Sequence, residues 1–431
     1  MYRKIMEYLK KWKESKYRKP LILQGARQVG KTYSILEFGR TCYENVAYFN
    51  FETNPKLNET FAENISPDYL IPILSHIAGQ TIIREKTLIV FDEVQLCERA
   101  LTSLKYFCED APEYHIIVAG SLLGVAVNRT RFSFPVGKVD MKTLYPMDME
   151  EFMLAMGEEQ LVELIKKCFQ TDTPMPAALH DAAMQLYRQY LVVGGMPECV
   201  MQFIQTKDYI LVRNTQNTIL ASYLNDMSKY NNLSEIKKTR LAYDNITVQL
   251  SKKNTRFQYK LIKKGGRASE FENAIEWLCL SGIVSQVYKV EQVKKPLENY
   301  RDIDAFKIYV SDLGLLCAKK ELLANDILYM VKELDDFKGG MAENYVNVQL
   351  SINGYHTYYW ESARGAEIDF VIQREGKLIP IEVKSADNTR AKSLKVYMDT
   401  YEPDYAIKLS AKNFAFEDRK KIVPLYAAFC I

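Results

Sequence analysis

The sequence lacks the signatures of several protein classes. Its 431 residues include eight cysteines and four histidines, and no C-x-x-C pair occurs. Zinc-finger spacings are therefore excluded, and the scattered cysteines are expected to be free thiols in a reducing compartment. No uninterrupted apolar run approaches the roughly 18 residues of a membrane span. The charged amphipathic start of the chain lacks the apolar core of a signal peptide, so we expect a cytoplasmic protein with no membrane partner.

The composition sets further bounds. The chain is 48% hydrophobic and 26% charged, which is typical of globular proteins. Its length favours roughly two to four domains. The formal net charge of +3 is too small to identify a partner, so only local charge is informative.

The segment Gly25–Thr32 carries the strongest functional signal. It has the pattern G-x-x-x-x-G-K-T, follows the apolar run Leu21–Leu23 and precedes a helical pattern that starts near Tyr33. At a strand-to-helix turn, glycines let backbone amides surround phosphate oxygens, and the helix dipole favours the anion. In this pattern Lys31 contacts the β- and γ-phosphates, and the hydroxyl of Thr32 coordinates Mg²⁺. The predicted nucleotide-binding residues are Gly25, Ala26, Arg27, Gln28, Val29, Gly30, Lys31 and Thr32.

A second segment, Thr87–Phe91, is an apolar strand that is followed by Asp92 and Glu93. A continuous apolar run fits a strand buried on both faces of a parallel sheet, and ligands bind at the carboxyl ends of such strands. Asp92 is predicted to bind the nucleotide's Mg²⁺, directly or through water. Glu93 is predicted to orient or deprotonate the attacking water. With the phosphate-binding loop, this segment predicts a Mg²⁺-dependent nucleoside triphosphatase.

Residues 20–146 alternate strand-like and helix-like patterns, which predicts a doubly wound parallel α/β sheet. Strand 45–51 separates the two motifs in sequence. In the branch of P-loop ATPases with an extra strand between the two motifs in space, the adjacent glutamate is the catalytic base. Ser121 follows another apolar strand and either senses the γ-phosphate or water, or caps the next helix. The strands expected are 21–24, 45–51, 87–91, 115–119 and 136–144.

The middle of the chain predicts two helical regions. Residues 148–230 are mostly helical in pattern and predict a lid, in which the tight turn Gly194–Pro197 is either a hinge or a corner. Residues 231–333 predict a winged-helix region, because helical segments are followed by two strand-like ones. Within it, residues 252–267 include seven basic side chains and no acidic one. This basic segment either contacts DNA phosphates or is a solvated surface.

Near the end of the chain, a hairpin centred on Glu375-Gly376 places Asp369 opposite Glu382 and Glu367 opposite Lys384. Residues two apart share a face of a strand, so the four side chains line one surface. Two opposed carboxylates repel each other, and a divalent metal is the usual compensation. The alternative is a surface hairpin with a cross-strand ion pair between Glu367 and Lys384.

An aspartate, a Glu-x-Lys on the next strand and Glu343 on a preceding helix resemble the PD-(D/E)xK nuclease fold. The resemblance implies that residues 334–431 form an α/β nuclease-like domain. It also implies that Glu343, Asp369 and Glu382 bind Mg²⁺ and that Lys384 positions or activates water.

From residue 18 onward the chain resembles a group of prokaryotic ATPases that join an AAA-type ATPase domain to a nuclease-like domain. The resemblance implies ATP as the nucleotide and residues 1–147 as the ATPase core. One difference is Gly137-Lys138, where the group often has Gly-Arg, because lysine supplies charge without a bidentate fork. Arg129 and Arg131 are alternative sources of that charge. The segments that carry the resemblance are 21–32, 91–95, 119–121, 144–152, 194–198, 367–370 and 381–384.

Two functions remain open. In the first, ATP hydrolysis drives a conformational change that is linked to DNA binding or processing through the basic segment 252–267 and the C-terminal domain. In the second, the protein is a nucleotide-dependent regulatory switch whose inactive nuclease-like domain binds protein or nucleic acid. The sequence does not indicate whether the chain self-associates. The catalytic candidates are Lys31, Glu93, Ser121 and Lys384.

Overall fold

The computed structural model describes residues 1–120, 134–229, 233–250, 256–385 and 392–431. The chain forms two compact units. The smaller unit contains Tyr2–Tyr145 and Leu280–Gly282, and the larger unit contains Pro146–Cys279 and Ile283–Ile431. The larger unit thus includes the regions predicted as lid, winged helix and nuclease-like domain.

A parallel sheet forms the centre of the smaller unit. Its described strands lie in the order β2-β3-β4-β1-β5, and every neighbouring pair is parallel. The apolar strands β3 and β4 are buried at every position, as expected for a sheet covered on both faces. The predicted α/β fold class of a P-loop NTPase is confirmed. The strands are β1 (Leu21–Gln24), β2 (Asn45–Asn50), β3 (Thr87–Asp92), β4 (His115–Ala119) and β5 (Asp140–Thr143).

The position of β4 matters for the site. It lies between β1, which leads into the glycine-rich loop, and β3, which ends at Asp92. This is the spatial arrangement in which the glutamate after β3 is expected to act as the base. The described helices of this unit are α1 (Ile5–Glu14), α2 (Lys31–Cys42), α3 (Leu57–Glu63), α4 (Pro67–Ala78) and α5 (Glu98–Asp110).

Helices dominate the first part of the larger unit, as the pattern of residues 148–230 predicts. The first of them begins with a capping box, in which Asp148 accepts from the backbone of Glu151 at 2.8 Å. They are α6 (Met149–Ala155), α7 (Glu159–Thr171), α8 (Ala177–Val193), α9 (Pro197–Thr206), α10 (Tyr209–Lys229), α11 (Leu233–Gln249) and α12 (Ala268–Leu280). Those that follow are α13 (Leu313–Lys319), α14 (Ala324–Leu328), α15 (Asp335–Ile352) and α16 (Lys392–Tyr401).

A mixed sheet occupies the rest of the larger unit. Among the described residues its strands lie in the order β12-β13-β11-β10-β9-β8-β6-β7. They are β6 (Val284–Val290), β7 (Arg301–Val310), β8 (Tyr358–Glu361), β9 (Glu367–Arg374), β10 (Lys377–Val383), β11 (Ala406–Ser410), β12 (Ala415–Glu417) and β13 (Lys420–Pro424).

The two strands predicted as a wing belong to this mixed sheet. β6 pairs antiparallel with β7, and it also pairs in parallel with β8 through Tyr288–Val290 and Tyr358–Trp360. The sheet therefore continues across the predicted boundary between residues 333 and 334, which differs from a free-standing wing. A hairpin at a sheet edge and a hairpin wing have the same alternating pattern, so local sequence does not separate them.

The turn Gly194–Pro197 is a fixed corner. The buried Asp312 carboxylate accepts from the Gly195 amide at 2.6 Å, and it caps α13 by accepting from Leu315 at 2.8 Å. Gly194 has φ +77°, and a Cβ there would lie 2.3 Å from Asp312 Oδ1. Burial raises the pKa of Asp312 to about 6, although the amides it accepts from oppose that rise. Of the two sequence alternatives, this geometry favours the corner.

Two further observations concern the described residues. The eight cysteines form no disulfide. No helix within the described residues combines the length and the apolar content that crossing a lipid bilayer requires.

Candidate nucleotide site and acidic cluster

The glycine-rich loop joins β1 to α2 with a backbone that only some residues adopt easily. Gly25 has φ +145°, Gln28 has φ +65° and Gly30 has φ +90°. A Cβ at position 25 would lie 2.1 Å from the carbonyl oxygen of Leu144, so a larger residue there collides with backbone. The loop leads directly into the first residue of α2, and the backbone amides at a helix N-terminus are suited to binding an anion.

Lys31 is the first residue of α2 and is buried. Its ammonium donates to the carbonyl oxygens of Gly25 at 2.8 Å and Ala26 at 2.7 Å. The ammonium group thus lies inside the loop. A phosphate can replace the two carbonyl oxygens as its hydrogen-bond acceptor. No negative phosphate is needed to hold the side chain there.

Thr32 and Asp92 meet across sixty positions of sequence. The Thr32 hydroxyl donates to Asp92 Oδ2 at 2.8 Å, and the Tyr48 hydroxyl donates to the same oxygen at 2.8 Å. Asp92 is 4% exposed. A hydroxyl beside a buried carboxylate is a suitable pair of oxygen ligands for Mg²⁺. Tyr48 on β2 is a site residue that the sequence reasoning missed.

Glu93 follows β3 in a left-handed conformation with φ +52°. Its amide donates to Asp92 Oδ1 at 3.0 Å, and its carboxylate accepts from the side chain of Gln95. Burial and the neighbouring Asp92 raise the pKa of Glu93, while the Gln95 amide and Lys31 oppose the rise. A carboxylate with a raised pKa is a better proton acceptor than a solvated one.

Four further candidates around the nucleotide site have different outcomes. Ser121, Arg129 and Arg131 lie outside the described residues. Lys138 forms an ion pair with Glu109 at 2.8 Å, so part of its charge is neutralised within the smaller unit.

In the larger unit, the β9–β10 hairpin has the predicted register. Arg374 pairs with Lys377, and Phe370 pairs with Ile381. Continuing the same count by one residue sets Asp369 against Glu382. Asp369 Oδ2 accepts from the Val383 amide at 2.7 Å, and Lys384 forms an ion pair with Glu382 at 3.0 Å.

The acidic cluster, defined here as Glu343, Glu367, Asp369 and Glu382, contains a cation that sequence reasoning missed. Lys307 on β7 is 1% exposed and forms ion pairs with Glu343 at 3.2 Å and with Glu367. In the sequence, this cation is indicated by a single lysine inside the apolar run Ala305–Val310, because a charge in a buried strand requires partners. Tyr309 also donates to Glu343, at 2.9 Å.

The cluster shifts the ionisation of its members. Burial and the Glu343 carboxylate raise the pKa of Asp369 to about 7, and the ammonium groups of Lys307 and Lys384 oppose the rise. Burial lowers the pKa of Lys384, but the neighbouring carboxylates more than offset it, so its net shift is upward. Glu382 Oε2 is buried and has no hydrogen-bond partner within the described part of the chain.

The structure brings Glu343, Asp369, Glu382 and Lys384 into one region without forming a three-ligand metal site. Within the described ranges, no three carboxylate, imidazole or thiol side chains are arranged to share a metal ion. Glu343 is instead engaged by Lys307 and Tyr309. The ligand roles of these residues therefore stay predictions.

The basic segment is only partly described. Lys252 and Lys253 lie outside the described residues. Lys263 is paired with Glu270 at 3.1 Å, whereas Lys260, Lys264 and Arg267 are exposed. The segment ends directly before α12, which carries the acidic Glu270.

One family match covers most of the smaller unit. Residues 17–153 match the family described as AAA domain. These residues form an AAA-type P-loop ATPase domain. Residues 184–326 and 338–428 match two domains of unknown function, DUF8612 and DUF4143. No curated protein matches the chain.

Several solved structures are similar to a large part of this chain. A Walker-type ATPase of Pyrococcus abyssi is 13% identical over 73% of this chain and 94% of that one, with a TM-score of 0.44. The Aeropyrum pernix ORC2 protein, in ADPNP and ADP complexes, is 10% identical over 72% and 88%, with a TM-score of 0.34. Because these scores are low, the similarities say nothing about the activity of this chain.

Proposed function

We propose that the AAA domain binds ATP with Mg²⁺ and hydrolyses it. The observation that carries the proposal is the contact between Thr32 and Asp92, a hydroxyl and a buried carboxylate 2.8 Å apart at the start of α2. It stands beside a lysine that is already held inside the phosphate-binding loop. These groups fit a magnesium–polyphosphate ligand, because they supply oxygen donors for the metal and positive charge for the phosphates.

Each residue has a separate role in this reaction. The loop amides from Gly25 to Gly30 bind phosphate oxygens, and Lys31 moves its hydrogen bonds from carbonyls to the phosphates. Thr32 and Asp92 would hold Mg²⁺, which would neutralise charge on the phosphates. Glu93 orients the attacking water and accepts its proton, which its raised pKa favours.

Hydrolysis is proposed to drive a conformational change that is linked to DNA. The support lies in positive charge on the larger unit, including the exposed Lys260, Lys264 and Arg267 of the basic segment. Phosphate contacts from such groups are independent of sequence, so the expected ligand is DNA in general rather than a particular site.

Steady-state ATP turnover, measured with and without single-stranded, duplex and branched DNA, tests the proposal. We expect Mg²⁺-dependent turnover that DNA stimulates and that Lys31→Ala reduces about 100-fold or more, because the transferred phosphate loses its fixed cation. The exposed Lys10→Ala in the smaller unit is the matched control and should keep full activity. Turnover that survives in Lys31→Ala, or that does not require Mg²⁺, would contradict the proposal.

A second candidate is a nucleotide-dependent switch in which the C-terminal region binds its partner without cutting it. Lys307 favours this candidate, since its ammonium already compensates Glu343 and Glu367. A divalent ion would meet one unpartnered oxygen, on Glu382, but would have to compete for Glu343. The switch predicts no nicking of plasmid DNA with Mg²⁺ or Mn²⁺. Nicking that Asp369→Ala abolishes and Lys31→Ala leaves intact would instead establish a nuclease.

A further inference from the structure

We propose that a basic pocket on the C-terminal sheet binds the sugar-phosphate backbone of a single strand of DNA. This inference rests on the proposed link to DNA and assigns it a surface. The basic pocket is a cavity of about 730 Å³ that is lined by α16 and by residues of β11, β12, β13 and the turns between them. It is separate from the basic segment 252–267.

Charge is the first argument. Six basic and three acidic side chains line the basic pocket, which leaves three positive charges in excess. The chain as a whole has an excess of +3 over 431 residues, so this excess is strongly local. Concentrated positive charge in a concave surface attracts polyanions. The basic residues are Lys392, Lys395, Lys408, Lys412, Arg419 and Lys420.

Position is the second argument. Lys408 on β11 lines the basic pocket, and it pairs in register with Glu382 on β10. Residues paired in register point to the same face of a sheet, and neighbouring strands are about 4.8 Å apart. Ile422 on β13 continues this row beyond Lys408 and also lines the pocket. A phosphate chain in the basic pocket would therefore extend along the sheet toward the acidic cluster.

Size and lining favour a single strand. Cavities of about 300–1,000 Å³ enclose ligands of drug size, so this one accommodates roughly one or two nucleotides rather than a duplex. Its apolar lining residues, Met398, Ala415 and Ile422, offer surface to a sugar or a base. A positively charged groove is what proteins use to follow the backbone of single-stranded nucleic acid. The carboxylates Asp399, Glu417 and Asp418 work against binding, but they are outnumbered by the six basic side chains.

The test uses the full chain and a short, fluorescein-labelled single strand of DNA, with binding followed by fluorescence anisotropy at low salt. The pocket variant is Lys395→Glu with Lys412→Glu, because both side chains are exposed and reversal should not disturb folding. We expect its affinity to fall about tenfold or more. The slope of log affinity against log salt should fall by about 0.7 for each lost phosphate contact.

Two variants with the same change in charge serve as controls. Lys10→Glu with Lys11→Glu alters an exposed face of α1, and Lys260→Glu with Lys264→Glu alters the basic segment. Binding that falls equally in the α1 control, or only in the basic-segment variant, would overturn the assignment. Tighter binding of the matched duplex than of the single strand, or displacement of DNA by polyglutamate at equal charge, would also overturn it.

ATP turnover without DNA, measured on the same samples, separates this inference from the proposed function. Normal turnover with no DNA binding to the unmodified chain would refute the basic pocket and leave the ATPase standing. Intact DNA binding that depends on Lys395 and Lys412, with no turnover, would refute the ATPase and leave the basic pocket standing.

Discussion

The nucleotide site and the acidic cluster both combine carboxylates with lysine at the ends of β-strands, but they are assembled differently. In the nucleotide site, Lys31 contacts carbonyl oxygens and lies apart from the Thr32–Asp92 pair. In the acidic cluster, Lys307 contacts two carboxylates directly. These contacts of the first lysine are with neutral carbonyl oxygens, whereas the second lysine compensates two negative charges. The same residue types therefore compensate buried charge in the larger unit, and we propose that they bind a nucleotide in the smaller one.

Glu93→Gln should give the largest effect and would sharpen the comparison. Loss of the base is expected to lower ATP turnover by about 10²–10⁴-fold while Mg·ATP binding persists, because the phosphate contacts are intact. In the unmodified protein, turnover should fall as pH drops through the Glu93 pKa, which lies above the ordinary 4.5. Turnover by quenched flow and binding by calorimetry check both points. Full turnover in the variant would remove Glu93 from the mechanism.

Replacing each lysine by methionine tests the contrast directly. Lys307→Met leaves Glu343 and Glu367 without their cation, and we expect a loss of about 3 kcal/mol in the stability of the larger unit. Lys31→Met loses hydrogen bonds to carbonyls and should cost the smaller unit only about 1 kcal/mol. Hydrogen exchange of peptides from each unit, in increasing urea, measures both values. Equal losses would break the comparison.

Tyr48→Phe should give the smallest effect. The Tyr48 hydroxyl donates to the same Asp92 oxygen as Thr32, so its removal loosens one carboxylate without removing a ligand. We expect that the variant needs about threefold more Mg²⁺ for half-maximal turnover, because that factor corresponds to the free energy of one modest hydrogen bond. A Mg²⁺ titration of turnover measures this, with the exposed Tyr33→Phe as control. A loss as large as that of Glu93→Gln would make Tyr48 part of the catalytic machinery.

Much of the smaller unit could be predicted because the sequence motifs that determine it are contiguous. The motif Gly25–Thr32 predicts the strand-to-helix turn that it forms. The apolar run before Asp92 predicts a buried strand of a parallel sheet. The register of the β9–β10 hairpin was also predictable, since the short turn at Glu375-Gly376 fixes it. In each case the pattern lies within a few residues of the structure it determines.

The rest depends on contacts between distant parts of the chain. Lys307 and Glu343 are 36 positions apart, and Tyr48 gives no local sign of its partner Asp92, 44 positions away. The pairing of β6 with β8 joins segments separated by three α-helices and a strand, so the alternating pattern of β6 could not reveal its neighbour. Local periodicity indicates that a strand exists but not which strand lies beside it.

The Asp312 corner also bears on motion. One carboxylate ties the amide that follows α8 to the first turn of α13, across 117 positions of sequence. We expect segments joined in this way to move together. If nucleotide turnover reshapes the larger unit, the bending must occur at some other joint, and spin labels attached to exposed sites on α8 and α13 should keep a constant separation throughout the cycle.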